Sequence, residues 1–176
     1  DLSEKLLDQD KEEQFSRNIT MALENFTKSL KICETIIQDV KQPSNTSVSA
    51  EDKEQIIMNC KRLFNEAQFN IGNCYFVWGK FDSKYFKNAL DSLKKAATYA
   101  KSLKNPILEG KAYSTIGLIH FNQKEYDQAE VYFKKDASIC ESNRDYQGLA
   151  LTVRNIARLY HARRQYQLSV EHFEKA

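Results

Sequence analysis

The sequence predicts an all-α protein, a right-handed helical solenoid of about seven helices. Two observations carry this prediction. A helix-turn-helix unit occurs twice in residues 107–176. Ile116-Gly117-Leu118-Ile119-His120 aligns with Ile156-Ala157-Arg158-Leu159-Tyr160 at a spacing of 40 residues, and no gap is needed. Tyr126 then falls on Tyr166, Ala129 on Ser169, Phe133 on Phe173 and Asp136 on Ala176. A fixed period in this range marks stacked units that bury their apolar faces only against one another. The second observation is apolar spacing of three and four residues through most of the chain, with only 5 Gly and 2 Pro in 176 residues. The matched positions are those stacking requires. Gly117 and Ala157 let two helices approach, Ala129 and Ser169 do so from the return helix, and Phe133 and Phe173 fill the gap between hairpins.

Residues 1–10 are polar and expected to fray. A helix over about 11–40 has Ala22, Phe26, Ser29, Leu30, Cys33, Ile36 and Ile37 on one face. Ala22, Phe26 and Ser29 repeat the spacing of Ala129, Phe133 and Asp136, so this reads as an orphan return helix. Its partner is absent or degenerate within 1–10. Lys41–Ala50 is a loop rich in Ser and Asn. Ser49 with Asp52 starts the next helix in the manner of a capping box, and Gly79 ends it. Ile71-Gly72-Asn73-Cys74-Tyr75 matches Ile116–His120 at 45 residues, whereas Ala89 and Leu93 match Ala129 and Phe133 at 40. The turn at 79–85 is therefore expected to carry about five extra residues. Helical hairpins are placed at 50–103, 107–142 and 146–176, within one domain spanning 1–176 that is a piece of a longer array.

Composition narrows the function. With 26 basic and 24 acidic residues the net charge is +2, which gives no global preference for nucleic acid or membrane. No apolar run reaches the roughly 18 residues of a membrane span. Cys33, Cys60, Cys74 and Cys140 are widely spaced and form no C-x-x-C, so they read as free thiols. Asn18, Asn25 and Asn45 begin N-x-S/T triplets, two of them inside a helix. No phosphate loop, nucleophile elbow or metal-ligand spacing occurs. His120 sits where Tyr75 and Tyr160 sit, which makes it a packing residue. His161 and His172 have no ligand-spaced partner. The chain is therefore read as no enzyme, with no catalytic residue, metal or cofactor. The basic run Arg154, Arg158, Arg163 and Arg164 is the one candidate anion-binding strip, since Arg154 and Arg158 share a helix face.

The set Tyr113, Ile116, Gly117, Tyr126, Ala129 and Phe133 resembles tetratricopeptide repeats. It recurs as Val153, Ile156, Ala157, Tyr166, Ser169 and Phe173, and more loosely as Ile71, Gly72, Tyr75, Phe86, Ala89 and Leu93. The 40-residue spacing is similar to that of the long-helix subgroup of these repeats. Within it, Phe26–Cys33, Phe133–Asp136 with Ile139-Cys140, and Gln147–Ala150 resemble the Tonsoku (Tonsoku-like) family. That resemblance implies a nuclear scaffold acting in replication-coupled DNA repair, with a repeat domain that binds partners and, in plants, a histone H3 variant. A basic tail would look to Glu66 and Glu109 for acidic contacts, whereas Lys111, Arg154 and Arg158 are basic. The alternative is a cytoplasmic peptide-binding adaptor or peptide-sensing regulator on the same repeats. Either way the expected partner is a protein or peptide, bound without membrane or direct nucleic-acid contact.

In such arrays the first helix of each hairpin lines the concave face. That places Phe69, Asn70, Asn73, Phe76 and Val77 in the groove from the first hairpin. Ser114, Leu118, Phe121 and Asn122 come from the second, and Arg154, Asn155, Arg158 and His161 from the third. Asn70, Asn73 and Asn155 are expected to hold a peptide backbone, because an amide both donates and accepts. Phe76 and Phe121 are expected to supply apolar pockets.

Overall fold

The structure, a computed structural model, describes the backbone of residues 2–42 and 48–175 and the side chains of 11–42 and 48–174 except Glu12 and Phe173. Seven helices and no strand occur among the described residues. They are α1 (Leu2–Lys41), α2 (Ala50–Gly79), α3 (Tyr85–Ser102), α4 (Pro106–Asn122), α5 (Tyr126–Asn143), α6 (Tyr146–Ala162) and α7 (Tyr166–Lys175). Asn45, Phe173 and Ala176, which the sequence reading used, lie outside the described side chains.

The first helix of each hairpin starts with the same device. The side chains of Ser49, Asn105 and Asp145 accept from the backbone N–H three residues on, at 3.1, 3.2 and 2.9 Å. Each satisfies a donor the helix leaves unpaired, and Pro106 occupies a first-turn position where no donor is needed. Ser49 Oγ also donates to Asp52 at 2.6 Å. Four of the turns share one ending. Lys104, Lys124, Arg144 and Arg164 adopt left-handed φ of 52–63°, each 20 residues after the last. The next residue then donates back five positions: Asn105 to Ala100, Glu125 to His120, Asp145 to Cys140 and Gln165 to Tyr160, all at 2.9 Å. This closure satisfies the last carbonyls of the helix at each of the four turns.

Packing follows the repeat. α1 lies on α2, and each later helix lies on the one before it. Ala89, Leu93, Ala96, Ile116, Ile119, Ala129, Phe133, Ala157 and Leu159 are fully buried. The small residues are required by space. A Cβ on Gly72 would stand 2.6 Å from the Leu93 side chain, and one on Gly117 would stand 2.6 Å from the Phe133 ring. Ser169 meets the same requirement with a hydrogen bond, donating to Ala157 O at 2.9 Å. Asn65, only 1% exposed, stitches α2 to α3. With its amide oriented to suit both contacts, it donates to Ala96 O at 2.9 Å and accepts from Ala100 N at 3.1 Å.

Two expectations are corrected. Residues 2–10 do not fray or form a separate partner helix; they continue α1, whose N-terminal end is at Leu2. The five extra residues near 79–85 are not confined to the turn. Relative to the next hairpin, α2 runs two residues further past Gly72 than α4 runs past Gly117, the turn is two longer, and α3 starts one earlier. That turn lacks the left-handed closure. Gly79 is buried against Phe86, whose ring would lie 2.3 Å from an added Cβ.

An ionic clamp ties α5 to the end of α6. Arg163 meets Asp127 and Glu130 at 2.5 Å each, Tyr160 donates to Glu130 at 3.1 Å, and Lys134 pairs with Glu130 at 2.7 Å. Glu130 is 19% exposed. Its hydrogen bond from Lys134, with those from Arg163 and Tyr160, holds its carboxyl down at about 2 against the upward push of burial. A folded-state value below the unfolded one means stability that is present above pH 4.5 and lost as pH falls toward 2. Wild-type protein should therefore exceed Glu130→Gln by about 1–3 kcal/mol in urea titrations at neutral pH, and the two should converge near pH 2. Gly117→Ala provides the packing test. The change gains roughly 1 kcal/mol of helix propensity, yet Phe133 cannot yield, so overpacking should win with a net loss of about 1–2 kcal/mol.

Candidate peptide-binding groove

The first helices form the inner layer. α2 touches α4 and α4 touches α6, whereas among the described residues α3, α5 and α7 do not touch one another. Helices that meet lie on the closed side of a curved stack. The concave face is thus built from α2, α4 and α6, and the repeat register aligns its residues in rows. Asn70, Thr115 and Asn155 occupy one row, and Asn73, Leu118 and Arg158 the next.

The structure separates the candidate residues into three kinds. Asn70, Asn73 and Asn155 make no hydrogen bond with any described side chain or backbone group, although Asn155 is only 7% exposed. Asn65, one turn earlier, is the amide that satisfies a neighbouring helix. The three groove amides therefore keep both their donors and their acceptors. Arg154 and Arg158 are exposed, and neither is in an ion pair among the described residues. Arg158 lies over the Phe121 ring at 5.6 Å, which holds its guanidinium on the groove wall. Phe69, Val77, Leu118 and Phe121 are half-buried. His161 is exposed, with its ring edge-on to Tyr166 at 5.4 Å.

Several assignments change. Phe76 supplies no pocket: it is buried among Phe86, Ala89, Leu93, Ile116 and Ile119, because α3 sets the Phe86 ring 6.4 Å from its own. Asn122 is spent on its own helix, donating to Leu118 O at 2.7 Å. Ser114 faces the groove but bonds the buried Asp136. Arg163 leaves the basic strip for the ionic clamp, and Arg164 sits in a left-handed turn. Glu109 is engaged with Tyr113, which leaves Glu66 as the exposed acid on this face. His120 stacks on Tyr132 at 5.4 Å and meets Glu125 at 2.6 Å, which is a packing role.

Sequence reasoning missed Asp136 as a polar centre. It is 4% exposed, and its carboxyl is reached by Thr152, Ser114 and Cys140. Burial pushes its pKa up, while those hydrogen bonds pull it back. Burial also pushes the Cys140 thiol up to about 12, so it stays protonated and can donate. The signal was present: the repeat position of Asp136 holds Ser29 and Ala96 elsewhere, and an acid among small residues is anomalous.

The geometry fits what the comparisons find. Residues 108–176, covering α4 to α7, match the tetratricopeptide repeat family. The fold is a tetratricopeptide-type helical solenoid. Among solved structures, the chain is similar to the crystal structure of aspartyl phosphate phosphatase F from Bacillus subtilis, with a TM-score of 0.54 and 19% identity. The match covers 87% of this chain and 39% of that one, so this chain spans about two fifths of that protein's length. At that identity the likeness shows the fold alone. No curated protein matches. Tetratricopeptide-type repeats are typically non-enzymatic scaffolds for protein–protein interaction. No helix among the described residues is long and apolar enough to cross a membrane, and no group of three His, Cys, Asp or Glu among them could hold a metal ion.

Proposed function

We propose that this domain is an interaction scaffold that holds an extended peptide segment of a partner protein along α2, α4 and α6. The observation that carries the reading is the set of unpartnered amides at Asn70, Asn73 and Asn155. Asn70 and Asn73 are half-buried, so their amides stay open to a ligand instead of being spent on a neighbouring helix as Asn65 is. An extended backbone offers the matching groups at every residue, so the row grips a chain without reading its sequence. Arg154, Arg158 and Lys111 add a preference for an acidic stretch over α4 and α6, in keeping with an adaptor. A second reading comes from the likeness to Tonsoku-type proteins, in which the segment is a histone H3 tail and the setting is replication-coupled repair in the nucleus. Exposed Glu66 beside Asn70 favours it.

The test is fluorescence anisotropy with three labelled peptides: a Glu/Asp-rich one, an H3 tail and an uncharged one. The acidic peptide should bind best and weaken as salt screens the charges within about 10 Å. Asn73→Ala with Asn155→Ala should weaken every peptide about tenfold, near 1.4 kcal/mol, with little change in Tm. Arg154→Glu with Arg158→Glu should abolish the acidic preference. Tightest binding of the H3 tail, untouched by the arginine changes, would replace the acidic ligand with the histone. Binding of no peptide, or binding indifferent to the asparagines, contradicts the groove.

A further inference from the structure

A cavity of about 450 Å³ lies between the starts of α4 and α6 and the end of α5, and it opens beside the groove residues Lys111 and Ser114. Asp136 lines it. A buried carboxylate is costly unless charge or hydrogen bonds compensate it. Here the surroundings have been shaped for one. Gly110 gives up its side chain, since a Cβ there would stand 2.7 Å from Asp136 Oδ1. Cys140 donates to Oδ1 at 3.5 Å, Thr152 lies hydrogen-bonded to Oδ2, and Ser114 adds a third donor. Packing alone does not require the acid, since the same position in the first hairpin is a fully buried Ala96.

Three neutral donors satisfy the oxygens but supply no counter-charge. Among the described residues no Lys or Arg pairs with Asp136. Lys111 and Asp145 are the other charged groups lining the cavity; Asp145 is occupied in capping α6, and Lys111 is exposed and unpaired. The mouth is aliphatic. Ile107 and Leu151 are 55% and 52% exposed on either side of it. An aliphatic rim above a buried carboxylate matches a long side chain that carries its charge at the tip.

We infer that the cavity is a subsite for one cationic side chain, Lys or Arg, of the bound peptide, with its stem between Ile107 and Leu151 and its head on Asp136. The inference rests on the groove reading for the ligand being a peptide. Its test uses single residues, so the subsite can fail while the groove stands, and the reverse. Lys111 opposes the incoming charge at the mouth and sets the affinity without forming the site.

The test is NMR titration of the chain with Nα-acetyl-lysine methylamide, its arginine counterpart, and the norleucine and glutamate counterparts as controls. Both cations should give saturable shifts at Gly148 and Thr152, and neither control should. Asp136→Asn should weaken the cations at least tenfold while Tm holds or rises, since a buried charge is removed. Lys111→Gln changes an exposed residue and cannot disturb the core; it should tighten the cations several-fold. Absence of saturable shifts, an equal response to norleucine, or an affinity unmoved by Lys111→Gln would overturn the subsite.

Discussion

Everything in this fold depends on the contact between a residue without bulk on one helix and a large side chain on the return helix. Gly117 against Phe133 and Gly72 against Leu93 are the two fullest instances. Close approach lets the large side chain be wholly enclosed by its own hairpin and the next, and each hairpin is incomplete without its neighbour. The left-handed turns at Lys104, Lys124, Arg144 and Arg164 close four successive helices in the same way, in step with the repeat of that contact. Where the turn differs, after Gly79, the chain restores the contact by bringing the glycine itself against Phe86.

That same constraint sets the surface available for function. Because the core is a seam between layers, one face of α2, α4 and α6 is left without a protein partner among the described residues. Side chains there are free to be selected for a ligand instead of for packing. The difference shows within little more than two turns of α2. Asn65 points into the seam and bonds α3 on both sides, whereas Asn70 and Asn73 point away from it and bond nothing described. Charge is distributed unevenly along this face. Exposed Glu66 lies toward α1, and Lys111, Arg154 and Arg158 lie toward α6, so a bound chain meets different fields at its two ends.

The periodic part of this organisation was legible in the sequence because it obeys a simple rule of spacing. The match of Ile116–His120 to Ile156–Tyr160 implied the helix pairs, the small residues and the inner row. Three things escaped it, each for a physical reason. Phe76 looked like a groove residue by register, but Phe86 of α3 covers its ring, and a contact between helices leaves no mark in the spacing of one of them. Arg163 looked like part of a basic strip, but its partners Asp127 and Glu130 lie on the neighbouring helix and more than thirty positions away. Asp136 was aligned correctly and read as packing, since a spacing argument ranks size above charge; only its burial beside Thr152 and Gly110 shows that the site accommodates a carboxylate.

The central claim is that the unpartnered amides of the inner layer are the partner-binding row. Side-chain amide NMR tests it most directly, with Asn65 as an internal control in the same helix. A peptide selected from a random display library should be titrated into the labelled chain. The account predicts that the amide signals of Asn70, Asn73 and Asn155 move together and saturate, while that of Asn65, locked between Ala96 and Ala100, stays still. Shifts confined to α3, α5 and α7, with the three groove amides unmoved, would contradict it.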